Sequence, residues 1–336
     1  MKTEEHYLVI GSGSMARRHI DNLNRLFPDS LVASLSFSKK QETLKKINTD
    51  VIFKNFQEGL DFKPNFVIEA SPSPFHLENA CKFLSENIPV LIEKPLCSNL
   101  EDFENFKTIF FDKRSIIEVG YCLRYQEAAL KFKELLEETH SFGRILSVKV
   151  EVGQYLPDWR PGFDYRHSVS ANKALGGGVL LELSHELDYL NWFFGKSQSV
   201  FCKTLNTGLL DTDVEETADA ILMRDNGPVI NIHMDFLQRK AHRSCKVITE
   251  KGTLTWNLLE NQITLEGKDN NLEILFYEPD YNRNDMFLSM LERFKKLANG
   301  KLTPLVSIED SLNVMSLVNS MKLSNDLQKS VDIRAY

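Results

Sequence analysis

Short apolar segments alternate with segments of helical periodicity through the first 120 residues of the chain. The apolar runs have strand character and are bounded by turn residues, and the segments between them repeat apolar residues at the spacing of an amphipathic helix. This alternation predicts βαβ units and therefore a parallel sheet in a doubly wound α/β domain. The predicted strands lie at 6–10, 31–37, 65–71, 89–93 and 115–120, and the predicted helices at 15–27, 40–47, 74–86 and 100–111.

The pattern changes near residue 145, where longer β segments begin. A turn signal at 225–227, which reads D-N-G, separates two of them and predicts an antiparallel hairpin. One helical pattern, at 179–194, interrupts the series. This half is predicted to be an α+β domain built on a large open, mostly antiparallel sheet. Its predicted strands lie at 145–156, 199–207, 217–224, 228–238, 243–250, 253–257 and 262–266.

The length of 336 residues suits two domains, and the 42% of hydrophobic residues provide sizeable cores. We expect a first domain at 1–121, a second at 122–305, and a C-terminal helix and tail at 306–336.

Charge and composition exclude several classes of protein. The net charge of −7 and the lack of a dense basic patch argue against a nucleic-acid binder. No run approaches the ~18 apolar residues of a membrane span, and the polar residues 1–6 are not typical of a signal peptide. The five cysteines are odd in number and lack the spacing of metal ligands. We therefore expect reduced thiols in a cytoplasmic protein without a bound metal.

A glycine-rich turn follows the first predicted strand and opens the first predicted helix. Gly11 permits a tight turn, Gly13 allows the backbone to approach a pyrophosphate, and Ala16 lets the helix pack against the strand. The helix N-terminus offers unpaired N–H groups and a partial positive charge to phosphates. The alternative is an ordinary glycine turn. The position between a strand and a helix favours dinucleotide binding, by Gly11, Gly13, Ser14, Met15 and Ala16.

The segment after the second predicted strand bears on the choice of cofactor. An NAD enzyme usually places Asp or Glu there to bind the ribose hydroxyls. This chain has Ser36 and Ser38, which can donate to a 2′-phosphate, and Lys39 or Lys40, which can pair with it. We therefore favour NADP slightly over NAD, with a solvated loop that says nothing about the cofactor as the alternative.

Two further motifs follow the third and fourth predicted strands. The segment 70–76 reads A-S-P-S-P-F-H, and the segment 93–95 reads E-K-P. With the glycine turn at 11–16, this order resembles the glucose-fructose oxidoreductase and inositol dehydrogenase family, also called Gfo/Idh/MocA. The resemblance covers nearly the whole chain and continues through 120–125, 142–145, 176–188 and 307–311.

The resemblance implies a Rossmann domain at 1–121 that binds NAD(P), and a second domain at 122–305 that binds substrate. Because the exposed sheet face of that second domain often joins subunits in the family, we expect a homodimer or homotetramer. His76 follows the third predicted strand, and the alternative to cofactor binding is that it only caps the following helix. The cofactor contacts expected after the strands are Ser71, Pro72, His76, Glu93 and Lys94.

Lys94 is the first catalytic candidate. It lies between Glu93 and Pro95 at the carboxyl end of a predicted buried strand, where open α/β sheets bind their ligands. An ammonium group there can stabilise an alkoxide or hydrogen-bond a carbonyl. The resemblance implies that the family uses this lysine in catalysis. The alternative is a surface lysine at a strand end.

The helical pattern at 179–194 carries the second catalytic candidate, His185. Because histidine titrates near neutral pH, it can exchange a proton with a hydroxyl group. Glu182 is expected one turn away on the same face, where it can orient the ring, and Asp188 can act from the other side. The family's usual arrangement at this point resembles Asp-x-x-x-His, in which the two residues are four positions apart. Glu182 lies only three residues before His185 and is out of register with that aspartate, whereas His185 and Asp188 match the family. The alternatives are a core histidine and a metal site, although the second histidine of H-E-x-x-H is missing.

The segment 155–167 is rich in aromatic residues and arginines. Trp159 and Tyr165 can stack on a sugar ring, and Arg160 and Arg166 can bind a carboxylate or phosphate. In that case the substrate carries an anion. The alternative is that the tryptophan packs in a core and the arginines pair with neighbouring aspartates.

These residues together predict an oxidoreductase that moves a hydride between a nicotinamide and a secondary alcohol or ketone of a sugar or anionic sugar derivative. Arg124 and Tyr125, at the expected crossing between the domains, are further substrate-binding candidates, together with Asp188. The motif variants at 157–166 and 183–188 weakly favour surface-polysaccharide sugar metabolism. Two alternatives remain open: a reductase of a non-sugar substrate such as a bile pigment or an imine, and a nicotinamide-binding regulatory protein without turnover.

Overall fold

The computed structural model describes residues 5–38, 45–138, 142–268 and 271–334. The chain forms two compact units. The first comprises Met1–Tyr125 with Arg283–Leu312, and the second Gln126–Asn282 with Asn313–Tyr336.

The strands of the described residues form two sheets, one in each unit. In chain order the strands are β1 (His6–Ile10), β2 (Leu31–Leu35), β3 (Val51–Phe53), β4 (Phe66–Glu69), β5 (Val90–Ile92), β6 (Ile117–Val119), β7 (Ile145–Gly153), β8 (Ser199–Leu205), β9 (Thr217–Met223), β10 (Val229–Asp235), β11 (His242–Thr249), β12 (Thr253–Asn257), β13 (Gln262–Glu266), β14 (Leu272–Tyr277) and β15 (Val331–Asp332). The α-helices are α1 (Ser14–Leu26), α2 (Phe56–Asp61), α3 (His76–Leu84), α4 (Lys107–Asp112), α5 (Glu127–Glu137), α6 (Val179–Glu182), α7 (Ser184–Phe194), α8 (Asp285–Ala298) and α9 (Ile308–Leu327).

The sheet of the first unit has six parallel strands in the order β3-β2-β1-β4-β5-β6. The chain moves outward from β1 to β3, returns to β4, and then moves outward in the other direction. Since parallel crossovers are right-handed, helices of the two halves, such as α1 and α3, cover opposite faces of the sheet. The predicted doubly wound parallel sheet is confirmed.

Parts of the first unit differ from the sequence prediction. Strand β3 and helix α2 were not predicted, because three and six residues are too few for a period to show. The helix predicted at 40–47 falls mostly on residues outside the described ranges. Its remaining residues, which are 45–47, are not helical.

Residues 283–312 belong to the first unit, whereas we expected 283–305 in the second domain and 306–312 in the C-terminal helix and tail. The reason is the packing of α8. Its Phe294 contacts Phe66 of β4 edge-on, with ring centroids 5.2 Å apart, and Lys295 Nζ lies 2.6 Å from a carboxylate oxygen of Glu5. The helix therefore buries its apolar face against the parallel sheet.

The sheet of the second unit has nine strands in the order β14-β13-β12-β11-β7-β10-β9-β8-β15. Neighbouring strands are antiparallel except β7 and β10, which are parallel, so the predicted mostly antiparallel sheet is confirmed. The predicted turn at 225–227 joins β9 to β10 as an antiparallel hairpin. The two strands that the sequence missed, β14 and β15, lie at the sheet edges, where exposure or shortness hides the alternation of apolar residues.

Helices α5 and α7 pack on one face of this sheet. The indole of Trp256, on β12, is fully buried between the rings of Phe132 and Tyr189, with centroid distances of 5.7 and 5.4 Å. Among the described helices, none is long and apolar enough to cross a membrane. The five cysteines, all within the described ranges, are present as thiols and not as disulfides.

Candidate active site

The glycine turn lies between β1 and α1. Gly11 has a φ of +118°, and a Cβ there would lie 2.6 Å from the carbonyl oxygen of Ala70, so only glycine fits. A Cβ on Gly13 would meet no atom within 4 Å, which leaves open space before the first turn of α1. Ser14 is exposed, Met15 is half-buried, and the turn carries no acidic side chain. This turn can therefore hold a pyrophosphate against free N–H groups of the helix.

The side chains after β2 differ in their access to solvent. Ser36 is 1% exposed, and its Oγ lies 3.3 Å from the backbone nitrogen of Ser38, which donates to it. This burial argues against the expected bond from the Ser36 hydroxyl to a 2′-phosphate. Ser38 is half-buried, and Lys39 lies outside the described residues. Phe37, by contrast, is 56% exposed and contacts Phe56.

The loop after β4 is organised by a buried carboxyl group. Glu69 Oε1 accepts hydrogen bonds from the backbone nitrogen of Ser71, at 2.8 Å, and from the Ser71 hydroxyl. Burial raises the pKa of Glu69 to about 8, although the bonds from Ser71 and Asn79 oppose this shift. The carboxyl group therefore holds the backbone of the Ser71 loop, while Ser71 and Pro72 themselves stay half-buried.

His76 joins this loop to the one after β5. Its Nδ1 lies 2.9 Å from the carbonyl oxygen of Pro95, and its Nε2 lies 2.8 Å from that of Ser71. The ring is 1% exposed, which argues against the expected contact between His76 and the cofactor. It also does more than cap α3, because its two ring nitrogens contact carbonyl oxygens of two separate loops.

Lys94 follows β5 in the segment Glu93-Lys94-Pro95, whose last peptide bond is cis. Glu93 is buried, and its Oε1 lies 2.6 Å from Nε2 of His19, a residue that the sequence analysis missed. Burial alone raises the pKa of Glu93, but the hydrogen bond and charge of His19, with the charge of Lys94, lower it overall. Glu93 therefore acts as an ionised anchor beside Lys94, which is half-buried.

His19 left a weak signal in the sequence. It falls on α1 among Ala16, Ile20 and Leu23, all of which are buried. A histidine on the buried face of a helix that packs against a parallel sheet needs a polar partner. The distance of 74 residues to Glu93 hid the identity of that partner.

In the second unit, the predicted helix 179–194 is two helices, so the prediction of one continuous helix is wrong. Leu183, with φ −98° and ψ 23°, separates α6 from α7. Glu182 therefore does not lie one regular helical turn from His185, as we expected, and its Oε2 accepts a hydrogen bond from Ser170 Oγ at 2.7 Å. At the start of α6, Glu215 occupies the space that a Cβ on Gly178 would need.

His185 is the second residue of α7 and is half-buried. The next residue, Glu186, is fully buried and receives two bonds from Arg243 on β11, with Nε to Oε1 at 2.6 Å and Nη2 to Oε2 at 3.1 Å. This paired contact fixes the first turn of α7 against the sheet. Asp188 is also fully buried. Arg243 carried no signal in the sequence, because its partner lies on a different element.

Two of the four substrate-binding candidates in the segment 155–167 make local contacts instead, as the alternative interpretation of this segment predicted. Trp159 donates from Nε1 to the carbonyl oxygen of Gln154 at 3.0 Å and packs edge-on against Phe236. Arg166 pairs with Asp164, with Nη2 to Oδ2 at 2.6 Å, which lowers the pKa of that carboxyl to about 2. The remaining candidates are Tyr165, whose hydroxyl accepts from the backbone of Asp211, and Arg160, which is exposed.

Arg124 and Tyr125 make contacts inside the first unit. Arg124 is 3% exposed, and its Nη1 lies 3.3 Å from both the carbonyl oxygen of Leu305 and Oδ2 of Asp310. The hydroxyl of Tyr125 donates to Glu118. These contacts tie residues 305–310 to the parallel sheet, so they argue against the expected role of both side chains in substrate binding.

The acidic residues and histidines of the described chain do not assemble a metal site. Within those ranges, no group of three or more His, Cys, Asp or Glu side chains lies close enough together to hold a metal ion.

The chain resembles known proteins in sequence. It is 26% identical over 219 residues to glucose-6-phosphate 3-dehydrogenase of Bacillus subtilis, which covers 65% of this chain and 61% of that protein. It is 23% identical over 208 residues to inositol 2-dehydrogenase of Rubrobacter xylanophilus, which covers 59% and 55%. The matches therefore span less than two thirds of the length of either relative.

The fold also has counterparts among solved structures. Levoglucosan dehydrogenase in complex with NADH superposes with a TM-score of 0.82 and 17% identity, over 99% of this chain and 100% of that one. At this identity the likeness shows the fold alone.

Two family models match the chain side by side. The one described as "Oxidoreductase family, NAD-binding Rossmann fold" matches residues 6–121, and the one described as "GFO/IDH/MocA C-terminal domain" matches residues 129–255. Both belong to the same family, and their order along the chain is that of the two sheets. With its NAD-binding Rossmann unit and mostly antiparallel second sheet, the chain belongs to the Gfo/Idh/MocA oxidoreductase family.

Proposed function

We propose that this chain is an NAD(P)-dependent oxidoreductase that moves a hydride between the nicotinamide and a secondary alcohol or ketone of a sugar or anionic sugar derivative. The observation that carries the proposal is the position of Lys94. It follows β5 at the carboxyl edge of the parallel sheet, where doubly wound folds bind their ligands. Glu93 before it and Pro95 after it are both held by buried histidines.

The glycine turn fits the dinucleotide that this proposal requires. Gly13 leaves open space, and the first turn of α1 has no acidic side chain to repel phosphates. When bound, the nicotinamide accepts or supplies the hydride.

Lys94 and His185 divide the remaining chemistry between them. The ammonium of Lys94 stabilises the substrate oxygen as negative charge develops on it. His185 takes the hydroxyl proton during oxidation and returns a proton to the oxygen during reduction. Glu182, whose carboxylate is bonded to Ser170, holds the loop before the glycines in place.

NADP remains slightly favoured over NAD. The reason is that no carboxylate stands at Ser36, Phe37 or Ser38, where NAD enzymes usually bind the ribose hydroxyls. The cationic partner of a 2′-phosphate is then Lys39, beyond the described residues. Titration of the protein with NADH and with NADPH, followed by fluorescence, tests this choice. Tighter binding of NADH by tenfold or more, about 1.4 kcal/mol, rejects it.

The substrate is a polyol or sugar, with an anionic form favoured by Arg160. This exposed arginine belongs to the segment 155–167, whose second arginine is paired with Asp164. Glucose 6-phosphate, which the name of one relative specifies, carries an anion, whereas the inositol of the other is neutral. Arg160→Ala is expected to raise KM for phosphorylated or acidic sugars and to leave KM for neutral polyols unchanged.

The chain is expected to form a homodimer or homotetramer through the open face of its nine-stranded sheet. This face carries a concavity of about 910 Å³, lined by apolar side chains such as Phe201 and Ile221 and by charged ones such as Lys149 and Lys246. Light scattering of Phe201→Glu beside the unchanged protein tests the assignment. A monomeric wild-type protein rejects it.

The central experiment is a screen of myo-inositol, glucose 6-phosphate, levoglucosan, sugar acids and nucleotide sugars with NAD and NADP, followed by nicotinamide absorbance. Lys94→Ala is expected to lower turnover ~10²- to 10³-fold and to leave the circular dichroism spectrum unchanged. Lys107→Ala, an exposed lysine of α4, is the matched control. Undiminished turnover by Lys94→Ala rejects the mechanism. Turnover of imines alone favours the non-sugar reductase, and cofactor binding without any turnover favours the regulatory protein.

A further inference from the structure

Two buried histidines contact the segment that carries Lys94, one on each side of it. His19 bonds to Glu93, the residue before Lys94, and His76 bonds to the carbonyl oxygen of Pro95, the residue after it. Neither histidine is reached by solvent to more than 1%. Both therefore act through this segment and not as groups that touch a ligand.

The contact before Lys94 is a short bond between buried groups. His19 Nε2 lies 2.6 Å from Glu93 Oε1, and Glu93 Oε2 accepts from the backbone nitrogen of Lys94 at 3.2 Å. A Cβ on Gly120 would lie 3.3 Å from the same Oε2, so the carboxylate is closely packed from the neighbouring strand end as well. A carboxylate held in this way has little freedom to rotate, and it fixes the backbone at Lys94.

The contact after Lys94 joins two loops. Both ring nitrogens of His76 face carbonyl oxygens, those of Pro95 and Ser71, at 2.9 and 2.8 Å. Carbonyl oxygens only accept hydrogen bonds, and burial lowers the pKa of His76, so the neutral ring donates its one N–H to one of the two oxygens at a time. The ring therefore bridges the loop after β5 and the loop after β4, with a hydrogen bond to one carbonyl oxygen and close contact with the other.

The two contacts approach from opposite faces of the parallel sheet. His19 lies on α1, in the half of the fold that runs from β1 to β3, and His76 begins α3, which connects β4 to β5. Right-handed crossovers in these two halves place their helices on opposite faces. A displacement of Lys94 toward either face would stretch one of the two bonds.

We propose that His19 and His76 are positioning residues that hold Lys94 from the two faces of the sheet, and that His76 also fixes the Ser71 loop relative to Lys94. This inference rests on the proposed function, in which Lys94 contacts the substrate oxygen. A shift of about 1 Å in a catalytic group can lower a rate ~10²-fold, so such anchors matter for turnover beyond their effect on stability.

The test combines hydrogen–deuterium exchange with kinetics. His76→Phe keeps the volume of the ring and removes its N–H donor. In peptides that cover 66–77 and 90–100, its exchange is expected to rise at least fivefold. On the sugar that the screen identifies, kcat is expected to fall tenfold or more while KM for the sugar changes less than threefold. His19→Phe is expected to raise exchange only at 90–100 and to lower kcat similarly.

His6→Phe is the matched control. His6 Nδ1 lies 2.9 Å from one carbonyl oxygen, that of Phe62, at the opposite end of β1 from the glycine turn. This variant is expected to leave exchange at 90–100 and kcat unchanged. If His76→Phe does not fold, His76→Gln, which keeps one donor group, takes its place with smaller effects in the same direction.

The outcomes separate the inference from the proposed function. A lower melting temperature with unchanged kcat and unchanged exchange at 90–100 overturns the inference, because the histidines are then only structural. If Lys94→Ala retains its turnover, the proposed function fails. The exchange experiment needs no turnover, so increased exchange at 90–100 still supports the anchoring of Lys94 in that case, and unchanged exchange overturns it.

Discussion

Ser170 Oγ donates a hydrogen bond to Glu182 Oε2 at 2.7 Å, so the last residue of α6 is tied to the loop that precedes the glycines. This carboxylate is the one that sequence spacing suggested as an aid to His185. The contact gives it a structural task, which is to hold residues 168–178 against α6. Its role beside His185 stays a prediction.

Substitution of the two residues separates these tasks. Glu182→Gln keeps an oxygen that accepts from Ser170, so turnover is expected to stay within about threefold of wild type. His185→Ala removes the group proposed to move the proton, and it is expected to lower kcat ~10²- to 10⁴-fold. Steady-state kinetics on the sugar identified in the screen measures both. A loss in Glu182→Gln as large as that in His185→Ala would restore Glu182 to the catalytic group.

The two glycines of the turn are expected to respond differently to alanine. In Gly11→Ala the new Cβ meets the Ala70 carbonyl oxygen at 2.6 Å, at a φ that alanine rarely adopts, so the free energy of unfolding is expected to fall by ~2 kcal/mol or more. In Gly13→Ala the Cβ meets no protein atom, so stability is expected to change by less than about 1 kcal/mol.

Gly13→Ala is expected to change stability little but to weaken cofactor binding strongly. Its new methyl group points into the space assigned to the pyrophosphate, and the dissociation constant for NADH or NADPH is expected to rise tenfold or more, about 1.4 kcal/mol. Urea denaturation and fluorescence titration measure the two quantities on the same samples. Undisturbed cofactor binding by Gly13→Ala contradicts the assignment of the phosphate site.

Sequence patterns located the residues at strand ends but not their partners. The position of Lys94 follows from an apolar run and the E-K-P motif, both of which are local. Its anchors do not, because His19 and His76 meet this segment through tertiary contacts across 74 and 19 residues. Periodicity states which face of α1 is buried, and only the assembled sheet states what that face meets.

The sequence predictions that differ from the structure do so for similar reasons. Helical periodicity continues from α6 into α7, so the break at Leu183 was invisible, although it removes the regular spacing between Glu182 and His185. Ser36 has the residue type of a phosphate ligand, but it is buried by tertiary contacts, and its backbone nitrogen donates to the carbonyl oxygen of Phe53 on β3. Composition favoured ligand binding for Trp159 and Arg166, whereas their nearest neighbours satisfy them locally.

His233 is expected to lower the free energy of unfolding as the pH rises into the alkaline range. Its Nδ1 lies 2.6 Å from Asp219 Oδ1 and its Nε2 3.1 Å from Asp235 Oδ2, so both nitrogens donate and the ring is charged. The bond to Asp235, and then that to Asp219, raise the pKa of His233 to about 9, against the opposing effect of burial. A raised folded-state pKa gives a stabilising contribution that is fully present below the unfolded value and lost as pH rises through about 9.

His233→Gln isolates this contribution. The variant is expected to be less stable than wild type by about 1 kcal/mol at pH 6, since solvent screens the half-exposed pair, and equally stable at pH 10. Urea denaturation at both pH values measures the difference. A constant difference across this range would rule out the charged ring as its source.

Glu69 provides a pH dependence at lower pH. Burial raises its pKa to about 8, so between the unfolded value of 4.5 and about 8 the folded chain holds a proton that the unfolded chain has lost. The free energy of unfolding of the wild type should therefore fall as pH rises through this window.

Glu69→Gln cannot ionise, and its amide oxygen can still accept from Ser71. The variant is expected to match wild type at pH 4.5 and to exceed it at pH 8.5 on the order of 3 kcal/mol. Glu78→Gln, an exposed carboxylate on α3, is the control and is expected to show no such crossover. Parallel urea curves at the two pH values decide the matter, because equal shifts in both variants would mean that Glu69 ionises as readily as a surface residue.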